Sequence, residues 1–86
     1  MITKQYLQYE FPDFNMHYSK FATTQYYFLI KDALHFHISV GDDGDIHTII
    51  YNEGDAIQEF MTKRTQERDL INTLKQITKE YDITGI

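Results

Sequence analysis

The chain contains no cysteine and no tryptophan, one proline and four glycines in 86 residues. Without cysteine there is no disulfide framework, no thiolate zinc site and no thiol nucleophile. That absence fits a reducing compartment, and a cytoplasmic location is the expectation. The scarcity of proline and glycine leaves no linker composition, so residues 1–86 are expected to form one small domain. No apolar run approaches the roughly 18 residues of a membrane span. The opening MITKQYLQYEF lacks an apolar h-region, so a signal peptide is not expected. Positive charge is also short: 8 Lys and Arg stand against 13 Asp and Glu, a net charge of −5. This argues against nucleic acid or an anionic membrane as a direct partner. No glycine-rich phosphate loop is present, and the only serines, Ser19 and Ser39, lie outside any strand–turn–helix elbow. Neither an enzyme nor a cofactor is therefore expected.

Aromatic residues are plentiful, at 15% of the chain, and supply much of the apolar area that so short a chain can bury. The clearest local pattern is Ala33 to Tyr51, ALHFHISVGDDGDIHTIIY. Leu34, Phe36, Ile38 and Val40 alternate with His35, His37 and Ser39. Ile46, Thr48 and Ile50 alternate with His47, Ile49 and Tyr51. A period of two with β-branched and aromatic residues predicts two strands. A loop of Asp42, Asp43 and Gly44 between them suits the three-residue hairpin turn, with Gly44 in the left-handed position. That choice pairs Val40 with Ile46, Ile38 with Thr48 and Phe36 with Ile50. On the opposite face it pairs Ser39 with His47, His37 with Ile49 and His35 with Tyr51.

Elsewhere the patterns are weaker. Thr3 is a candidate N-cap for a short helix ending at Phe11-Pro12-Asp13, and a short extended segment is the equal alternative because Tyr6, Leu7 and Tyr9 do not settle the period. Phe14, Met16 and Tyr18 alternate as a first strand, and Gln25 to Lys31 forms a second that is apolar on both faces. Tyr26, Phe28 and Ile30 are assigned inward, Tyr27 and Leu29 outward. After the hairpin, Asn52 is read as the cap of a helix with Glu53 and Asp55 in its first turn. Its stripe is Ile57, Phe60 and Met61, and Glu59–Lys63 is an i,i+4 ion pair. A second helix, after a break near Thr62–Thr65, carries Leu70, Ile71, Leu74, Ile77 and Tyr81. Asp82–Ile86 is read as a tail. The expected fold is α+β: a four-stranded antiparallel meander with two C-terminal helices on one face.

The outer face of that sheet would gather Tyr27, Leu29, His35, His37, His47, Ile49 and Tyr51. It is too apolar for an ordinary solvated face, and exposed patches of this kind mark interaction sites. The leading expectation is a non-enzymatic protein-binding module, a homodimer or a small regulator. In size, acidity and element order the chain is similar to small acidic proteins of phages and mobile elements of AT-rich bacteria, anti-CRISPR inhibitors among them. That likeness implies inhibition by protein–protein contact and carries over no site residue. Within it, Asp42, Asp43 and Asp45, together with Glu53 and Asp55, would mimic phosphates toward a basic nucleic-acid-binding protein. The alternative is a metal- or small-ligand-binding domain using His35, His37 and His47, since three imidazoles on one face suit a borderline metal. No carboxylate is placed by the sequence to orient those rings. The acidic loop falls short of a calcium site in length and ligand count.

Overall fold

The computed structural model describes residues 1–84. Helix α1 (Lys4–Glu10) precedes five strands, β1 (Asn15–Phe21), β2 (Thr24–Lys31), β3 (Leu34–Val40), β4 (Ile46–Asn52) and β5 (Asp55–Thr62). A single 3-10 turn (Arg64–Gln66) leads into helix α2 (Glu67–Thr84). The strands form one antiparallel sheet in the order β1-β2-β3-β4-β5. The fold is α+β, with five strands rather than four and one C-terminal helix rather than two.

The central hairpin has the register that its alternation and loop length require. Val40 faces Ile46, Ile38 faces Thr48 and Phe36 faces Ile50, while His37 faces Ile49 and His35 faces Tyr51. The turn closes through Gly44 N–H to the Gly41 carbonyl and Gly41 N–H to the Asp45 carbonyl, each at 3.1 Å. Gly44 takes φ +87°, the left-handed position.

The face assignment of β2 is inverted relative to expectation. Leu29 faces Phe36 and Tyr27 faces Ile38, so both point into the core, where they are buried. Tyr26, Phe28 and Ile30 lie on the outer face. The cause is the β2–β3 turn. Lys31 pairs with Leu34, leaving only Asp32 and Ala33 as the loop, with Asp32 at φ 54°. A turn one residue longer would flip every side chain of β2. The Tyr27 hydroxyl, which would otherwise be stranded in the core, donates to Gln25 Oε1 at 2.8 Å.

The segment read as a first C-terminal helix is the edge strand β5. Glu53 and Gly54 both have positive φ, 54° and 86°, and form a two-residue hairpin turn between Asn52 and Asp55. Asn52 is thus a strand end and not a helix cap. A bulge places Ile57 out of register: Ile50 faces Gln58 but Tyr51 faces Ala56. Glu59 and Lys63 do not pair as on a helix. Glu59 meets His47, and Lys63 Nζ bonds Asp45 Oδ1 at 3.0 Å. At the C-terminus, α2 continues through Asp82 to Thr84, where a tail was expected. The last residues of that expected tail, Gly85 and Ile86, lie outside the described residues.

Both helices pack on the inner face. Thr3 caps α1, its hydroxyl accepting from Tyr6 N–H at 3.0 Å. Leu7 and Phe11 bring the α1 segment into the same core as Leu70, Ile71, Leu74 and Ile77 of α2 and the inward residues of β2, β3 and β4. Phe11, Phe14 and Phe36 form a ring cluster with centroids 5.1–6.0 Å apart. The two helices are joined through Glu10, whose carboxylate bonds Lys75 and Arg68. Those cations, Lys75 foremost, hold the Glu10 carboxyl below its ordinary value. A lowered carboxyl pKa stabilises the fold above the unfolded value, and that contribution is lost as pH falls through the folded one. Glu10→Gln is therefore expected to lower stability near neutral pH and to flatten its decline below about pH 4.5, which denaturation curves across a pH series would register.

Among the described residues Thr48 is the one buried polar residue, on the inner face between Ile46 and Ile50, and its hydroxyl has no hydrogen-bond partner there. Thr48→Val keeps the shape and removes the unpaired group. It is expected to stabilise by about 1 kcal/mol, seen as a shifted urea midpoint at unchanged slope.

Candidate interaction face

The outer face of the sheet carries no helix, because α1 and α2 both contribute to the inner core. Its composition follows from the register, since residues directly opposed on neighbouring strands share a face. One row runs His17, Phe28, His37, Ile49, Glu59 across the five strands. The row beside it runs Asn15, Ile30, His35, Tyr51, Ala56, and on the other side Ser19, Tyr26, Ser39, His47, Met61. All four histidines of the chain lie on this face, interleaved with aromatic and aliphatic side chains.

The rings touch one another. His37 meets Phe28 edge-on at 4.8 Å and tilts against Tyr51 at 4.6 Å, and it stacks parallel to His35 at 6.2 Å. Enclosure by these neighbours, and secondarily the nearby His35, push the His37 pKa below the ordinary imidazole value. His47 differs. Its Nε2 lies 2.5 Å from Glu59 Oε2, so the ring has a carboxylate partner.

Of the residues expected on this face, His35, His37, His47, Ile49 and Tyr51 are there. Tyr27 and Leu29 are not, and Tyr26, Phe28 and Ile30 take their place. The alternation of β2 held both sets, and only the length of the turn after Lys31 decides between them. His17 and Glu59 also join the face. Glu59 was hidden by reading its segment as a helix, and the one local signal of a turn before it was the glycine at position 54. Among the described residues no group of three His, Asp or Glu side chains is arranged to hold a metal ion.

The acidic loop sits at the other side of the argument. Asp43 Oδ1 accepts from Asp45 N–H at 3.0 Å, which is turn chemistry. Asp45 bonds Lys63, and the Arg64 side chain lies against Gly44, so cations already offset the loop. Glu53 and Asp55 flank the turn that ends β4, whereas Asp42–Asp45 precede its start. The two acidic groups are thus separated by the length of a strand. Glu53 N–H instead bonds the Ala33 carbonyl of the β2–β3 turn at 3.1 Å. Among the described residues no helix is long and apolar enough to cross a membrane. Compared with known proteins, the chain matches no family model, no curated protein and no solved structure.

Proposed function

We propose that this chain is a non-enzymatic protein-binding module that works through the outer face of its sheet. The observation that carries this reading is the placement of both helices on the inner face, which leaves an aromatic and imidazole surface across five strands without a cover from residues 1–84. Burial of such surface is favourable by roughly 25 cal/mol per Å2 of apolar area, and patches of this kind mark binding sites more often than solvated faces. A regulator or inhibitor of the phage or mobile-element type would act in this way, by contact rather than turnover. Phosphate mimicry by Asp42, Asp43 and Asp45 is the weaker form of that role, since Lys63 and Arg64 already accompany the loop. The alternative, a metal or small ligand on the histidines, has no arranged ligand set among the described residues.

The test is differential capture. Immobilised wild-type protein should retain a protein partner from its native cell extract, and Phe28→Asp and Tyr26→Lys, each with a native circular-dichroism spectrum, should lose it. Equal capture by all three would place any binding elsewhere and end this reading. An Asp42→Asn, Asp43→Asn, Asp45→Asn triple variant should bind as wild type does. A salt-sensitive loss of association rate in that variant would instead favour the acidic loop.

A further inference from the structure

We infer that the occupant of the outer face is a second copy of this chain, stacked sheet on sheet about a two-fold axis. The inference rests on the protein-binding reading above and gives it a partner. Three observations support a second copy rather than a charged partner.

The first is charge. Although the chain carries a net charge of −5, the outer-face rows contain one acidic side chain, Glu59, and no Lys or Arg. Glu59 is already engaged by His47. A basic or acidic partner would find no counter-charge in the middle of the face, and a second copy would meet no like charge there.

The second is hydrogen bonding. Apart from the His47–Glu59 pair, which is satisfied within the chain, the polar groups in these rows are imidazoles (His17, His35, His37), hydroxyls (Ser19, Ser39, Tyr26, Tyr51) and the Asn15 amide. Each of these is a donor and an acceptor at once. A surface of such groups can satisfy a copy of itself, which is what an isologous two-fold contact requires. Donor-only or acceptor-only groups could not do so.

The third is size. Five strands about 4.8 Å apart and seven residues long at ~3.3 Å per residue give a flat footprint of roughly 550 Å2. Side chains standing off the sheet raise the accessible area toward the roughly 800 Å2 per partner of a stable specific interface. Two such faces would pack about 10 Å apart, as in a sandwich, with strands crossing at about 30°.

Protonation then opposes the assembly. His37 is faced by His35 on its own strand, Phe28 on β2, and Ile49 and Tyr51 on β4, with His17 and Glu59 one strand further out in the same row. None of its immediate neighbours offers a carboxylate, so an imidazolium buried there has no partner. The group's pKa already lies below the free imidazole value in the single chain and falls further on burial, so association is full near pH 6.5 and above and weakens as pH drops through the lowered single-chain value. The dimer buries two copies of His37, and exclusion of both protons raises the dissociation constant up to about a hundredfold per pH unit.

The experiment is molar mass by light scattering over a micromolar concentration series, on the full chain at about pH 7.5 and about pH 5.5, values that bracket the imidazole titration. The expected mass at the higher pH is twice the 10.3 kDa of the chain, with dissociation at the lower. Phe28→Asp and Tyr26→Lys, each checked for a native circular-dichroism spectrum, should raise the dissociation constant at least about 30-fold. Tyr9→Lys, on the exposed side of α1, should not change it. His37→Gln should flatten the pH dependence, and His47→Gln should do so less, because the His47 ring lies against the Glu59 carboxylate of its own chain. A monomer throughout overturns the inference. If wild type then still captures a protein that Phe28→Asp does not, the protein-binding reading stands alone, and if it does not, both fall. A dimer that survives both face variants, or that a chelator dissolves, also overturns it.

Discussion

Leu29→Ala is expected to destabilise the folded chain by about 2–5 kcal/mol, and Phe28→Ala by about 1 kcal/mol, the worth of one aromatic contact. The two residues are chain neighbours on β2 and both are apolar, so composition does not separate them. The face does. Leu29 lies opposite Phe36 and Met16, both turned inward, and it has no exposed surface. Removing its isopropyl group loses the transfer energy and leaves a hole beside the Phe11–Phe14–Phe36 cluster, which is pinned by α1 and α2 and cannot collapse freely. Phe28 is half-buried on the outer face, against His37, and its loss opens no cavity. Urea denaturation at low protein concentration measures both costs in the monomer. At higher concentration the order of effects should change, because only Phe28→Ala removes a contact between copies, and association adds to stability by mass action. Equal costs at low concentration would place Phe28 in the core and return the faces to the assignment made from the alternation alone.

This contrast also shows where the sequence was legible. The β3–β4 hairpin could be read completely, because its alternation is strict and its loop contains a glycine at the one position that needs positive φ. The α2 stripe of Leu70, Ile71, Leu74 and Ile77 was equally plain, since four buried residues at helical spacing have no second reading. The segment QYYFLIK was not, because both of its faces are apolar. Its register depends on a two-residue turn built from Asp32 and Ala33, neither of them a marked left-handed residue. Strand β5 was disguised by its bulge. With Ile57 displaced, Ile57, Phe60 and Met61 fall at i, i+3 and i+4, the spacing of a helix stripe. The same edge strand supplies Glu59, so the misreading also hid the carboxylate beside His47. The candidate face was thus legible in its histidines, which sit on the well-patterned hairpin, and misassigned in β2, where the pattern had no preference.

Gly44→Val is expected to cost about 1–3 kcal/mol from backbone strain alone, with a further loss from the packing above it. Gly44 has φ +87°, a conformation that a β-branched residue adopts only under strain. It is also buried, and a Cβ there would lie 2.9 Å from Arg64 Nε and 3.1 Å from Cζ. The guanidinium can swing away, but only by leaving its seat over the turn that joins β3 to β4. Gly54 supplies the control. It has nearly the same φ, 86°, but nothing within 4 Å of an added Cβ. Gly54→Val should therefore report the strain by itself, and the difference between the two variants should report the Arg64 contact. Gly41→Val should cost least, because Gly41 lacks positive φ and its added carbon, 2.9 Å from Asp43 Oδ1 and 3.9 Å from the Asp45 carbonyl, crowds only a side-chain end that can turn aside. The ordering Gly44, Gly54, Gly41 in thermal melts would establish both the three-residue turn and the register it imposes. That register carries the face as well, since a slip of one residue would turn His35, His37 and His47 to opposite sides of the hairpin. A Gly44→Val protein that melts with wild type would remove the left-handed turn, and with it the alignment of the histidines on a single surface.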